Sequence, residues 1–146
     1  MPASRPPTVL GRLRAICFSF PGAYEKVAWS APTFRVGERQ FAMFADDHHG
    51  VGFAGVWFKA PEGLQEELVG SRPDRFYVPP YVGKGGWIGA RTDSRTDWRL
   101  LESLLREAYT LAARGQSAAK IAKGPAASSV PAKRTRSRRQ IPRPLR

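Results

Sequence analysis

The sequence predicts an α+β domain followed by a basic tail, and three observations carry that expectation. Apolar residues recur at helical spacing near the start of the chain and again from Trp98 to Ala112, and the segments between them read as strands broken by Gly and Pro. The pair Gly37-Glu38 separates two extended segments with glycine first, as in a two-residue type II′ hairpin. Charge is divided unevenly: residues 1–113 hold 14 Lys+Arg and 12 Asp+Glu, whereas residues 114–146 hold 10 Lys+Arg and no acid. The net charge of +12 on 146 residues therefore belongs mostly to the tail. A chain of this length supports one core of ordinary size. The expected divisions are a flexible arm over 1–8, the domain over 9–113, and a disordered Lys/Arg-rich tail over 114–146.

Residues 1–7 are Pro-rich and have no apolar run behind their charge, so no secretory leader is expected. Thr8 is placed to cap a first helix by accepting a bond from a free N–H of its first turn. Val9, Leu10, Leu13, Ile16, Cys17 and Phe20 share one face of that helix, and Pro21-Gly22 is expected to end it. Cys17 falls on the apolar stripe and reads as a small core residue. As the chain's one cysteine it excludes an intrachain disulfide and a Cys-rich zinc site. Residues 25–32 read as a short strand stopped by Pro32. Residues 33–36 and 39–45 flank the Gly37-Glu38 turn. Phe34 and Val36 alternate with Thr33 and Arg35, and residues 41–45 are apolar throughout, as in a strand with both faces covered.

Asp46-Asp47-His48-His49-Gly50 has metal-ligand residue types, but adjacent residues rarely converge on one ion, and the run reads as a polar turn. Residues 51–58 read as another strand, in which Gly52 and Gly55 suggest a bulge or a close backbone approach. Pro61 is expected at the first position of a short helix, with Leu64, Leu68 and Val69 inward, Glu66 and Glu67 outward, and Gly70 as its stop. A strand is then expected to end at Val78 and another to run from Trp87 to Arg91. Between them, Pro79-Pro80 and Gly83, Gly85 and Gly86 make a stiff loop flanked by Tyr81, Val82 and Trp87, with glycines free to take positive φ or to allow close backbone approach. Asp97 is the best cap for the last helix, with Ser94 and Thr96 as alternatives, and the helix's inner face carries Trp98, Leu101, Leu105, Ala108 and Ala112. Glu102 and Arg106 form an i,i+4 pair on its outer face. From residue 114 on, periodicity and aromatics vanish, so the segment cannot bury enough apolar surface to offset its ordering entropy.

The element order is helix, three or four antiparallel strands, short helix, two strands, long helix. It carries four motifs in register: Phe-Pro-Gly-Ala-Tyr-Glu-Lys-Val-Ala-Trp at 20–29, Pro-Thr-Phe-Arg-Val at 32–36, Phe-Ala-Met-Phe-Ala-Asp-Asp-His-His-Gly at 41–50, and Pro-Pro-Tyr-Val-Gly-Lys-Gly-Gly-Trp-Ile-Gly at 79–89. Over residues 9–113 the chain resembles the MmcQ/YjbR family of small bacterial proteins. That resemblance implies a two-layer fold, an antiparallel sheet covered on one side by helices, comparable to double-wing DNA-binding architectures. Members are commonly labelled DNA-binding, and no catalytic residue set comes with the family.

The chemistry legible in the residues points to binding. No nucleophile-elbow Gly-x-Ser-x-Gly, His-Glu-x-x-His or complete P-loop occurs, and His48 and His49 are the two histidines. The expectation is a non-catalytic protein without a cofactor or metal. Two features suggest nucleic acid, DNA in particular. Lys133, Arg134, Arg136, Arg138, Arg139, Arg143 and Arg146 can neutralise phosphates without reading sequence. Within the domain, Trp29, Arg35, Trp57, Lys59, Tyr81, Lys84, Trp87 and Arg91 combine aromatic faces with positive charge, as single-strand binders do. Tyr81, Lys84, Trp87 and Arg91 are expected to line one cleft with Arg35. The alternative is a small-molecule or protein-binding module whose tail supplies only non-specific attraction. No run approaches the length of a membrane span, and a monomeric cytoplasmic protein is expected.

Overall fold

A computed structural model of the chain describes residues 8–45 and 54–122. The run 46–50, the beginning of the strand expected over 51–58, and the charged residues 133–146 lie outside the described residues. Helix α1 (Val9–Cys17) starts where the capping argument places it, with Thr8 Oγ1 accepting from the Gly11 N–H at 2.9 Å. It ends before Pro21-Gly22, because the Phe18 N–H already closes the last turn onto Arg14. Arg14, off the apolar stripe, forms a two-armed ion pair with Glu25 (2.8 and 2.9 Å) and so ties α1 to the first strand.

Among the described residues, six strands form one antiparallel sheet in the order β1-β2-β3-β4-β6-β5. They are β1 (Tyr24–Ala28), β2 (Ala31–Val36), β3 (Arg39–Ala45), β4 (Gly55–Phe58), β5 (Phe76–Tyr77) and β6 (Ile88–Arg91). The Gly37-Glu38 hairpin forms as expected, with Gly37 alone of the pair at positive φ (+60°). Gly37 is doubly constrained, since a Cβ there would also collide with the Gln116 side chain.

The first hairpin corrects the sequence reading. Pro32 does not stop the strand. The chain reverses at Trp29-Ser30, Ala28 faces Ala31, and Pro32 lies inside β2 opposite Val27. Proline is tolerated there because the β2–β3 ladder begins one residue later, at Thr33↔Met43, so its missing N–H falls where no ladder bond is needed. Both turn residues are left-handed, Trp29 at φ +53° and Ser30 at +65°, the pair of conformations that defines a type I′ turn.

A β-bulge between β2 and β3 sets Phe41 and Ala42 together opposite Phe34. All three join the core on one side of the sheet, with Val36, Val56, Phe58, Ile88 and the buried faces of α1 and α3 (Trp98–Ala113). The next residues of β3 divide by alternation. Phe44 packs on the same core, while Met43 and Ala45 join Ala31, Trp57 and Trp87 on the other face. The uninterrupted apolar run of β3 thus reports two covered faces. α3 is capped by Asp97, which accepts from Leu100 N–H at 3.1 Å, and buries Leu101, Leu105, Ala108 and Ala112. Cys17 is fully buried in this core, and burial pushes its thiol well above the ordinary range, so it is inert.

α2 (Leu64–Ser71) begins three residues later than a helix opening at Pro61: Gly63 is its N-cap at φ +90°, and Pro61 sits in the preceding turn. Gly70 is inside the helix and does not stop it. Leu64, Leu68 and Val69 pack on the helix-side core, which places α2 on the same face of the sheet as α1 and α3. Residues 114–122, read from composition as tail, are joined to the domain. Gln116 accepts from Glu38 N–H (2.9 Å) and donates to Val36 O (2.9 Å) and Ala112 O (2.8 Å), Lys120 pairs with Glu38, and Ile121 packs on the core. One glutamine satisfying three backbone groups leaves no hydrophobic periodicity, which is why composition does not show it.

Candidate functional site

The face of the sheet away from the helices is covered by residues 78–87, which connect β5 and β6. Gln65 of α2 fixes that connection by donating to Gly83 O (2.8 Å) and Trp87 O (2.7 Å). A 3₁₀ turn at Gly83–Gly85 tightens it, and Pro79 is buried beneath it. The glycines divide between the two uses expected of them. Of the three glycines only Gly86 takes positive φ (+89°), whereas Gly83 lies against Val78. The other left-handed residue is Tyr81 (φ +68°), whose side chain is 81% exposed.

Between this connection and the Trp29-Ser30 turn lies a cleft of about 490 Å³, lined by Trp29, Gln40, Met43, Trp57, Tyr81, Val82 and Trp87. Its floor is rigid. Trp57 is buried and donates its indole N–H to the Tyr77 hydroxyl at 2.8 Å. The Tyr77 ring lies over Gly89, its hydroxyl lies over Gly55, and burial raises the phenol's pKa. The close approach anticipated at Gly55 is therefore that of Tyr77. The two walls are different in kind. Trp29, 73% exposed, and Tyr81 are the most exposed large apolar side chains among the described residues. Both stand on backbone conformations that a bulky L-residue avoids at a cost of about 1–2 kcal/mol.

The polar end of the cleft is a directed chain of hydrogen bonds. Thr33 donates its hydroxyl to Lys26 O (2.5 Å) and accepts from Arg35 Nε (3.2 Å), and Arg35 Nη2 donates to Gln40 Oε1 (3.4 Å). By strand register, Lys26 faces Thr33 on this side of the sheet.

The predicted site residues are not all together. Tyr81 and Trp87 line the cleft, and Arg35 reaches it through Gln40. Lys84 is exposed on the 3₁₀ turn, outside the lining. Arg91 belongs to another depression, of about 30 Å³, between β6 and the start of α3, with Arg72, Arg75 and Arg95. There Asp93 pairs with Arg75 (2.9 Å) and, at 3.7 Å, with Arg91. The Arg75 hydrogen bonds and the Arg95 backbone N–H hold the Asp93 carboxyl at about 2. The single cleft expected for Tyr81, Lys84, Trp87, Arg91 and Arg35 is thus divided: Tyr81 and Trp87 stay in it with Arg35 at its edge, Lys84 stands on an exposed turn, and Arg91 belongs to the second depression. Sequence reasoning missed Gln40, Met43 and Val82. Gln40 was within reach, because the two-residue turn at 37–38 by itself sets it opposite Arg35, before the bulge. Among the described residues no group of three or more His, Cys, Asp or Glu could hold a metal.

Fold and cleft together define a small α+β domain: an antiparallel sheet with helices on one face and an aromatic-walled cleft on the other. The family model described as YjbR matches residues 18–111, and the chain belongs to that family. No curated protein matches it. Among solved structures, the Deinococcus radiodurans protein DR2400, whose family-model domain is DUF419, is similar to it with a TM-score of 0.65 and 23% identity, over 81% of this chain and 88% of that one. That likeness establishes the shared fold. No helix among the described residues is long and apolar enough to cross a membrane.

Proposed function

We propose that the chain is a non-catalytic, DNA-associated binding protein that takes an unpaired base into the aromatic cleft while the basic residues of 123–146 hold backbone phosphates. The observation that carries this reading is the pair of walls: two large aromatics, exposed and held at unfavourable backbone angles, over a floor of Trp57, Trp87 and Met43. Exposed aromatics are normally selected against on a free surface. Backbone strain supporting two of them is more economically explained by a flat ring between them than by folding. Base–aromatic stacking contributes about 1–3 kcal/mol per base, which suits such a slot. Among the described residues, the lining is apolar apart from the Gln40 amide, the Tyr81 hydroxyl and the indole N–H groups.

A second reading, a small flat ligand free in solution, is favoured by the cleft's volume, which falls in the range of about 300–1,000 Å³ usual for small-molecule sites. Titrating a short single-stranded DNA at several salt concentrations separates the two. The full chain is compared with one ending at Ala122, which keeps Gln116 and Ile121 docked. If about six phosphates are held by the basic residues, log K for the full chain falls with log salt at a slope near −5. The shortened chain should still bind, more weakly and with a shallower slope. Loss of all binding on shortening would assign the nucleic-acid affinity to charge alone and leave the small-ligand reading for the cleft.

A further inference from the structure

We infer that the depression between β6 and the start of α3 is a phosphate site, and that the phosphate it takes belongs to the strand whose base enters the cleft. The strand as source rests on the reading of the cleft, whereas the chemistry rests on the depression's own residues. Four arginines meet there, Arg72, Arg75, Arg91 and Arg95, with one acid, Asp97, in the lining and a second, Asp93, beside it. Both carboxylates are already engaged. Asp97 Oδ1 accepts the Leu100 N–H that it caps. Asp93 Oδ1 accepts from Arg75 Nη2 (2.9 Å) and from the Arg95 backbone N–H (2.8 Å), and its Oδ2 accepts from Arg75 Nη1 (3.2 Å). Four guanidinium groups against two carboxylates leave an excess of two positive charges. The Arg72 and Arg95 side chains have no carboxylate partner among the described residues.

The arrangement is fixed before any ligand arrives. The Arg75 side chain is 14% exposed and is held by three acceptors, the two Asp93 oxygens and Arg91 O (3.2 Å). Asp93 thus works as a buttress that neutralises the innermost arginine, while Arg72 and Arg95 stay exposed at the rim. Like charges gathered in this way repel one another, and an anion among them relieves the repulsion. Guanidinium groups suit phosphate, because their donors form a planar fork that matches its oxygens two at a time. Size narrows the ligand further. At about 30 Å³ the depression admits the oxygens of one phosphate but no ring, whereas the cleft, at about 490 Å³, admits a ring. The two places therefore suit different parts of a nucleic-acid strand. β6 joins them: Trp87, just before it, lines the cleft, and Arg91 at its end lines the depression, about 13 Å further along the extended chain.

The test compares the full native chain with Arg72→Gln/Arg95→Gln. Both side chains are exposed, and both residues serve the fold through backbone N–H groups that glutamine keeps. Arg12→Gln/Arg106→Gln removes the same charge from exposed helix positions elsewhere. In one arm, melting is followed in sodium phosphate and in sodium chloride at equal ionic strength. The general effect of the phosphate salt is common to all three proteins. Beyond it, phosphate should raise the melting temperature of the native chain and of the Arg12/Arg106 pair by about 3 °C more than that of the Arg72/Arg95 pair. In the other arm, binding of a short oligo-dT is measured against salt. The Arg72/Arg95 pair should bind about tenfold more weakly at about 0.1 M salt, with a slope shallower by about 0.7, the share of one single-strand phosphate. The Arg12/Arg106 pair should lose less than about threefold, because its charges are screened from the strand. Loss of the phosphate-dependent rise with unchanged oligonucleotide binding would keep the site and assign it to free phosphate. Equal behaviour of the two pairs in both arms would overturn the inference. The first arm contains no base, so Trp29→Ala with Tyr81→Ala should leave it unchanged, and a failure of the cleft reading is thereby told apart from a failure of the phosphate site.

Discussion

Replacing Trp29-Ser30 by Asn-Gly should make the protein more stable and a poorer binder. The turn is type I′, with both residues left-handed, and Asn-Gly is the pair that takes those angles most readily. Relief of strain at two positions should contribute about 1–2 kcal/mol, or a rise in melting temperature of about 5 °C for a domain of this size. Little is lost in exchange, because the Trp29 side chain is mostly in solvent. Binding should fall at least about tenfold with removal of one stacking wall. Ser30→Gly alone separates the effects, since it should raise the melting temperature and leave affinity unchanged. A melting temperature that drops with the double replacement would show that Trp29 serves the fold, and the case for a strained functional wall would be lost.

Gly89→Ala should damage stability and the cleft together. A Cβ at Gly89 would lie 2.5 Å from two atoms of the Tyr77 ring, so the ring must lift off the sheet. That movement withdraws the hydroxyl to which Trp57 donates and loosens the cleft floor. Overpacking of this kind costs about 1–3 kcal/mol, and affinity should fall alongside it because Trp57 is no longer held. A double-mutant cycle tests the cause: Tyr77→Ala should cost less in the Gly89→Ala background than in the native protein. Full additivity would mean that the alanine destabilises β6 by some route other than Tyr77.

Much of the fold was legible in the sequence, and the exceptions share a physical reason. α3 announced itself through its 3.6-residue stripe and Asp97, α1 through Thr8, and the second hairpin through Gly37. Each is a local signal. The first hairpin was not legible because Trp29-Ser30 takes a turn conformation without the Asn or Gly that normally marks it, while Pro32 mimics a strand stop. Local preference yields there to something else, and that departure points to the cleft. The boundary near residue 113 was misread because the Gln116 anchor is one polar side chain bonded to backbone across a long sequence gap.

The cleft itself was half legible. Its aromatic members stood out by type, and three of the four tryptophans do line it. Which cations accompany them depends on register, loop path and the bulge at Phe34/Arg35, none of which composition encodes. Lys84 and Arg91 look like neighbours of Trp87 along the chain, yet the 3₁₀ turn carries one outward and the length of β6 carries the other to a different depression.

The most direct measurement is intrinsic tryptophan fluorescence of the full chain titrated with a single-stranded oligonucleotide and, separately, with the same sequence as a duplex. Trp29, Trp57 and Trp87 surround the cleft, while Trp98 lies on α3 under Arg12 at 5.3 Å and serves as a constant background. A base entering between Trp29 and Tyr81 should quench the emission in a saturable way with the single strand. The duplex, whose bases are already stacked, should bind through its phosphates with little change in emission. Equal quenching by both forms, or saturable binding of the single strand with no change in emission, would contradict a base-receiving cleft.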